Sequence, residues 1–140
     1  MEEEAVYQIY EVRCNDVLEQ EGVRFAAIIN SEGKLTAGGF KKGITPLEGD
    51  EEKLHEFMKY AAKISLQEEY DNSLGALNYI AARRDKIILI SFPFPVSRHI
   101  LLVSAEPGLD IEKLARVVVT IFGDSSHATE RGLSESFPGV

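Results

Sequence analysis

The chain has no tryptophan, a single cysteine and fewer cations than anions. Each shortage excludes something. With Cys14 alone, no internal disulfide can form, and the thiol is expected to stay reduced. Fifteen Lys and Arg stand against 23 Asp and Glu, a net charge of -8. Nonspecific nucleic-acid binding needs a cationic surface that releases counterions, so this balance argues against it. It argues equally against docking on an anionic membrane. The opening Met-Glu-Glu-Glu lacks the basic region and apolar core of a signal peptide. No apolar run approaches the ~20 residues of a membrane span. The expectation is a cytoplasmic protein. At 140 residues and 44% hydrophobic, it is long and apolar enough for one domain with a sizeable core.

What is present is organised around Gly22 to Phe40. An apolar run, Val23 to Ile29, meets a polar turn, Asn30 to Lys34, and a second extended run follows. Asn, Ser and Gly supply turn geometry between β-prone runs, so the stretch predicts a hairpin. Before it, Glu2 to Gln20 is expected to be a helix, with Val6, Ile9, Tyr10, Arg13 and Val17 at helical spacing and Gly22 past its end. After it, Lys41 to Asp50 is a linker in which Asp50 is the better N-cap. A second helix is expected from about Glu51 to Glu69. Its stripe of Leu54, Phe57, Met58, Ala61, Ile64 and Ser65 is widened by Tyr60, Ala62 and Leu66 beyond what one packing face needs. That width hints at a partner.

Tyr70 to Ser73 reads as a turn and Gly75 to Arg83 as a third strand. Lys86 to Phe92 and His99 to Ser104 are strands four and five, separated by Pro93-Phe94-Pro95. Asp110 caps a last helix that ends at Phe122-Gly123. The domain is expected to occupy residues 1–123. The polar segment 124–140, rich in Ser and Gly, is expected to be disordered.

The order is αββαβββα, an α+β protein in three layers. Strands one, four and five are continuously apolar, which suits burial on both faces; strands two and three alternate or carry polar residues, which suits edges. With short connections favouring neighbours, the antiparallel sheet should run 2-1-5-4-3. Helix two should cover one face and the terminal helices the other.

The Gly22-Val23 entry, the Asn30-Ser31-Glu32-Gly33 turn, Leu74-Gly75 and Leu101-Leu102-Val103 fall in an order that resembles the roadblock/dynein light chain family over about Val6 to Gly123. The chain looks closer still to small archaeal proteins of that plan, and longin and profilin folds are near in shape. The resemblance implies homodimerisation and the scaffolding or regulation of small Ras-like GTPases.

The residues themselves assemble no catalytic centre. Gly38 to Gly43 lacks the Gly-Lys-Ser/Thr ending of a phosphate loop. His55 follows Glu51 at helical spacing without a third metal ligand, and His99 and His127 stand apart. Ser125-Ser126-His127 sits in a segment expected to be too loose to align a nucleophile with a base. Cys14 reads as a packed helix thiol. The expectation is no enzyme, no metal and no cofactor, and a noncatalytic homodimeric scaffold or regulator; a small-molecule sensor of profilin-like shape is the alternative. Strand three lacks charge and proline from Leu77 to Ala82, so it is a poorly blunted edge. Tyr60, Ile64, Leu66, Leu77, Tyr79 and Ala81 are therefore expected at a dimer interface. Arg83, Arg84 and Phe94 are candidates for a second partner surface. For Phe92-Pro93-Phe94-Pro95 the other reading is packing beneath the strands.

Overall fold

A computed structural model of the chain describes residues 2–44, 51–94 and 97–123. The capping signals at Thr45 to Asp50 and the segment 124–140, with Ser125, Ser126 and His127, lie outside those residues.

Helix α1 (Glu2–Leu18) leads into β1 (Val23–Ile29) and β2 (Leu35–Phe40). Helix α2 (Glu51–Ser65) and a single turn, α3 (Asp71–Leu74), follow. Then come β3 (Ile80–Arg83), β4 (Ile88–Phe94), β5 (His99–Ala105) and α4 (Ile111–Phe122). The five strands form one sheet of order 2-1-5-4-3, with every neighbouring pair antiparallel. That is the order expected from which runs are continuously apolar. β1, β4 and β5 are buried along nearly their whole length because helices lie on both faces.

One face carries α1 and α4. There Tyr10, Cys14 and Val17 of α1 and Leu114, Ala115, Val118 and Phe122 of α4 join Ile28, Ile90, Phe92, Phe94, Leu101 and Val103 in the larger core. On the other face, Met58, Ala61, Ala62 and Leu66 from α2 pack on Phe25, Ala27, Ile29, Ile100 and Leu102. Asp110 caps α4 as expected, its side chain accepting from the Lys113 N–H.

The β1–β2 turn is built by Asn30. Its Oδ1 accepts from the backbone N–H of Glu32 and Lys34, and its carbonyl accepts from Gly33 N–H. Gly33 has φ +82°, and a Cβ there would stand 2.6 Å from Lys59 N and Cα. The turn therefore lies directly against the backbone of α2, and glycine is what permits the approach.

Four expectations need correction. Strand four does not stop at Phe92: β4 runs through Pro93 to Phe94, which pair with Ile100 and His99 of β5. The second helix stops at Ser65, not Glu69, and α3 occupies part of the expected turn. Strand three starts at Ile80, not Gly75: the ladder with β4 ends at the Ile80–Ser91 pair, two residues short of Pro93, which has no N–H to offer a neighbour. On α1, Val6 and Ile9 are exposed, and the buried stripe is Tyr10, Cys14 and Val17.

Candidate interaction surface

The two edges of the sheet differ. At β2, Gly38 and Gly39 adopt positive φ, and the Gly38 N–H is donated to the Glu11 carboxylate of α1. Among the described residues, β3 pairs with β4 alone. The register shows which groups face outward. Arg84 N–H bonds the Ile87 carbonyl across the β3–β4 turn. Hydrogen-bonded pairs alternate along an antiparallel ladder, so Ala82–Leu89 and Ile80–Ser91 are bonded pairs. Ala81 and Arg83 therefore direct their N–H and C=O away from β4, toward the open side, and Tyr79 has the same parity.

Beside this edge is a groove of about 720 Å³, lined among others by Ile64, Tyr70, Leu74, Leu77, Tyr79 and Glu112. Tyr60 is 60% exposed, Tyr70 61% and Leu74 79%. Much of the exposed apolar and aromatic surface among the described residues thus lies around one end of the sheet. The Tyr79 ring packs at 5.8 Å on Phe92, and its hydroxyl donates to the Glu112 carboxylate of α4. Half of this side chain is thereby committed to the fold.

The expected interface residues separate on this geometry. Tyr60 and Ala81 are exposed, and Ile64, Leu77 and Tyr79 are half-buried along the groove. Leu66 belongs instead to the core beneath α2. Tyr70, Leu74 and Glu112 join the surface without any forewarning in the sequence reading; Tyr70 and Leu74 at i and i+4 around Asp71-Asn72-Ser73 are the available signal for a helical turn.

Of the second expected surface, Phe94 is fully buried against Phe122, with ring centroids 5.5 Å apart, so it offers no surface. Arg83 donates from its guanidinium to the carbonyls of Pro107 and Leu109, which pins β3 to the loop before α4. Arg84 is exposed.

No group of three His, Cys, Asp or Glu among the described residues could hold a metal. His55 is exposed, and the His99 ring lies beside the Ser97 carbonyl and 6.0 Å from that of Tyr10. Cys14 is 0% exposed. Burial, aided by the Glu11 charge and opposed by a backbone hydrogen bond at Ile28, pushes its thiol up to about 12. A thiol so protonated is a poor nucleophile. No helix among the described residues is long and apolar enough to cross a membrane.

Residues 1–128 match the model of a family of unknown function, DUF6659. The chain belongs to that family. No curated protein matches it. Among solved structures it resembles the Roadblock/LC7 domain of Streptomyces avermitilis, at 13% identity and a TM-score of 0.59, covering 79% of this chain and 89% of that one. It also resembles the gliding protein MglB of Thermus thermophilus, at 15% identity and a TM-score of 0.63, covering 95% and 93%. A further likeness is to MglC of Myxococcus xanthus, at 13% and 0.59, covering 91% and 98%. At such identities the likeness concerns the fold, and this member of DUF6659 has the Roadblock/LC7 fold.

Proposed function

We propose that this DUF6659 protein is a noncatalytic homodimeric scaffold or regulator that acts on a small Ras-like GTPase. The observation that carries the dimer is the open β3 edge. Ala81 and Arg83 offer outward backbone donors and acceptors, a ready template for another extended chain. A second copy related by a two-fold axis supplies one, because β3 then pairs antiparallel with itself. The same axis brings the two α2 helices together, Tyr60 and Ile64 foremost, and closes the groove beside them. The regulatory reading rests on the roadblock resemblance.

Ala81→Pro tests the dimer selectively. The Ala81 N–H does not bond β4, so proline there leaves the intramolecular ladder intact while removing a donor from the open edge. Ala82→Pro removes a donor that β4 uses and should destabilise the fold. Light scattering at tens of micromolar should give a dimer for the parent and a folded monomer for Ala81→Pro. A monomeric parent overturns the edge pairing. The partner is tested by capture of nucleotide-loaded small GTPases from native lysate; capture that ignores the loaded nucleotide and survives the Ala81→Pro change would contradict a dimeric regulator.

A further inference from the structure

Behind the groove beside β3 lies a much smaller space. It is a recess of about 20 Å³ between Ser65 and Leu66 at the end of α2, Pro93 of β4, and α3. Gln67, Asp71, Ala76 and Leu77 line both the recess and the groove of about 720 Å³, so the two spaces adjoin. Ser65 is 2% exposed, and its hydroxyl has no hydrogen-bond partner among the described residues. A helical serine can return its hydroxyl to the carbonyl four residues back. A buried hydroxyl that finds no partner costs the fold stability. The recess that Ser65 lines has room for one group the size of a water molecule.

Asp71 is the second polar group at this junction. It is half-buried at the start of α3, and its carboxylate makes no ion pair with a described residue. Two further acids stand nearby. Glu68 borders the recess and faces Arg98 at 3.5 Å, and Glu112 lines the groove and takes the Tyr79 hydroxyl. Among the described residues, neither lining contains a Lys, Arg or His. Ile64, Tyr70, Leu74 and Leu77 make much of the remaining wall apolar.

We propose that groove and recess together bind a small primary amine with an apolar body. Its ammonium group enters the recess, donates to Ser65 Oγ and pairs with Asp71. Its body lies along Ile64, Tyr70, Leu74 and Leu77. A carboxylate or phosphate head in the same place would face Asp71 with no cation in the lining to offset it. Apolar walls with a few convergent polar groups are the usual make-up of a small-molecule site. Partial burial strengthens the charged hydrogen bonds relative to open surface. All these walls belong to one chain, so the site does not depend on the pairing of β3. A second copy across β3 would cover the groove, so binding is measured on Ala81→Pro as well as on the parent.

The probe is phenethylamine, and hydrocinnamate is the control, with a similar body and the opposite charge. In titrations followed by amide NMR, the amine should give saturable shifts confined to residues 64–80 and the start of α4. Hydrocinnamate should bind at least ~10-fold more weakly. Asp71→Asn should weaken the amine by ~10-fold or more and leave hydrocinnamate no weaker. Ser65→Ala should weaken the amine by about 2- to 10-fold. Its melting temperature should be no lower than the parent's, because the hydroxyl has no partner in the fold to lose. Equal binding of the two probes, shifts elsewhere in the fold, or an affinity indifferent to both substitutions overturns the proposal and leaves the recess a place for one water. Such a failure leaves the edge pairing standing, since light scattering reads that separately.

Discussion

Replacing Gly33 by alanine should be among the most damaging single changes available in this protein, for two separable reasons. The first is backbone conformation. At φ +82° an L-residue meets its own carbonyl, a cost of about 1–2 kcal/mol. The second is the neighbour. The new Cβ would stand 2.6 Å from Lys59 N and Cα, where nonbonded carbons settle at about 3.5–4.0 Å. Those atoms belong to a helix backbone and cannot rotate away. Either the turn or α2 must retreat by about 1 Å, and forcing extra volume into packed structure costs about 1–3 kcal/mol. Together the substitution should cost about 2–5 kcal/mol, a large part of the 5–15 kcal/mol that holds an ordinary domain.

Gly43 is the internal control. Its φ is +85°, nearly that of Gly33, but a Cβ there meets nothing within 4 Å. Gly43→Ala should therefore show the conformational cost alone. Urea unfolding followed by circular dichroism separates the two: with a slope of about 2 kcal/mol/M, Gly33→Ala should lower the midpoint by roughly 1–2.5 M, and Gly43→Ala by roughly 0.5–1 M. Equal midpoints would refute the reasoning, because they would mean that α2 does not rest on the turn.

Cys14 should make stability fall at high pH. The folded thiol keeps its proton to about 12 while the unfolded one loses it near 9, so above pH 9 the unfolded state binds fewer protons and the slope is negative, up to about 1.4 kcal/mol per unit. Cys14→Ala should flatten that decline, measured as urea midpoints between pH 8 and 11. In the native protein the thiol should react with a disulfide reagent only as fast as the structure opens. Asp110→Ala removes the acceptor for Lys113 N–H and should cost about 1 kcal/mol in thermal melts. At physiological salt, titration with duplex DNA should give no submicromolar, salt-sensitive binding, as the net charge of -8 requires.

The sheet order could be read from the chain because it depends on a local property. Ile87-Ile88-Leu89-Ile90 and Ile100-Leu101-Leu102-Val103 have no polar face, and only central positions tolerate that. What the sequence hides depends on atoms elsewhere. The start of β3 is set by Pro93, across the sheet on another strand. Val6 and Ile9 stay exposed while Tyr10, Cys14 and Val17 are buried, and helical spacing on α1 alone does not choose between those stripes. Leu66 and Phe94 read as surface because one widens an already broad stripe and the other sits between prolines. Both are core, since the relevant neighbours, Ile100 and Phe122, are remote in sequence. For the candidate surface, Tyr60 and Ala81 are legible as residues that no inner face requires. The groove is not, because α3 uses the same Asp-Asn-Ser vocabulary as a turn.

The asymmetry of the two sheet edges bears on what kind of assembly the proposed pairing can make. A sheet with two open edges offers a ladder at each end, and identical copies can then add without limit. Here the β2 edge is interrupted: two consecutive glycines leave regular strand geometry, Glu11 takes the Gly38 N–H, and α1 lies against the strand. The β3 edge keeps regular geometry at Ala81 and Arg83, with small Ala81 and Ala82 side chains that let a second backbone approach. One open edge per copy is used up when two copies meet across a two-fold axis, so the expected product is a closed pair with one continuous sheet and no fibre. The same reasoning says where the protein would fail. Glu11→Ala frees the Gly38 N–H at the second edge, and the assembly should then grow beyond the pair with time and concentration in light scattering. An unchanged particle size would mean that the glycines alone close that edge.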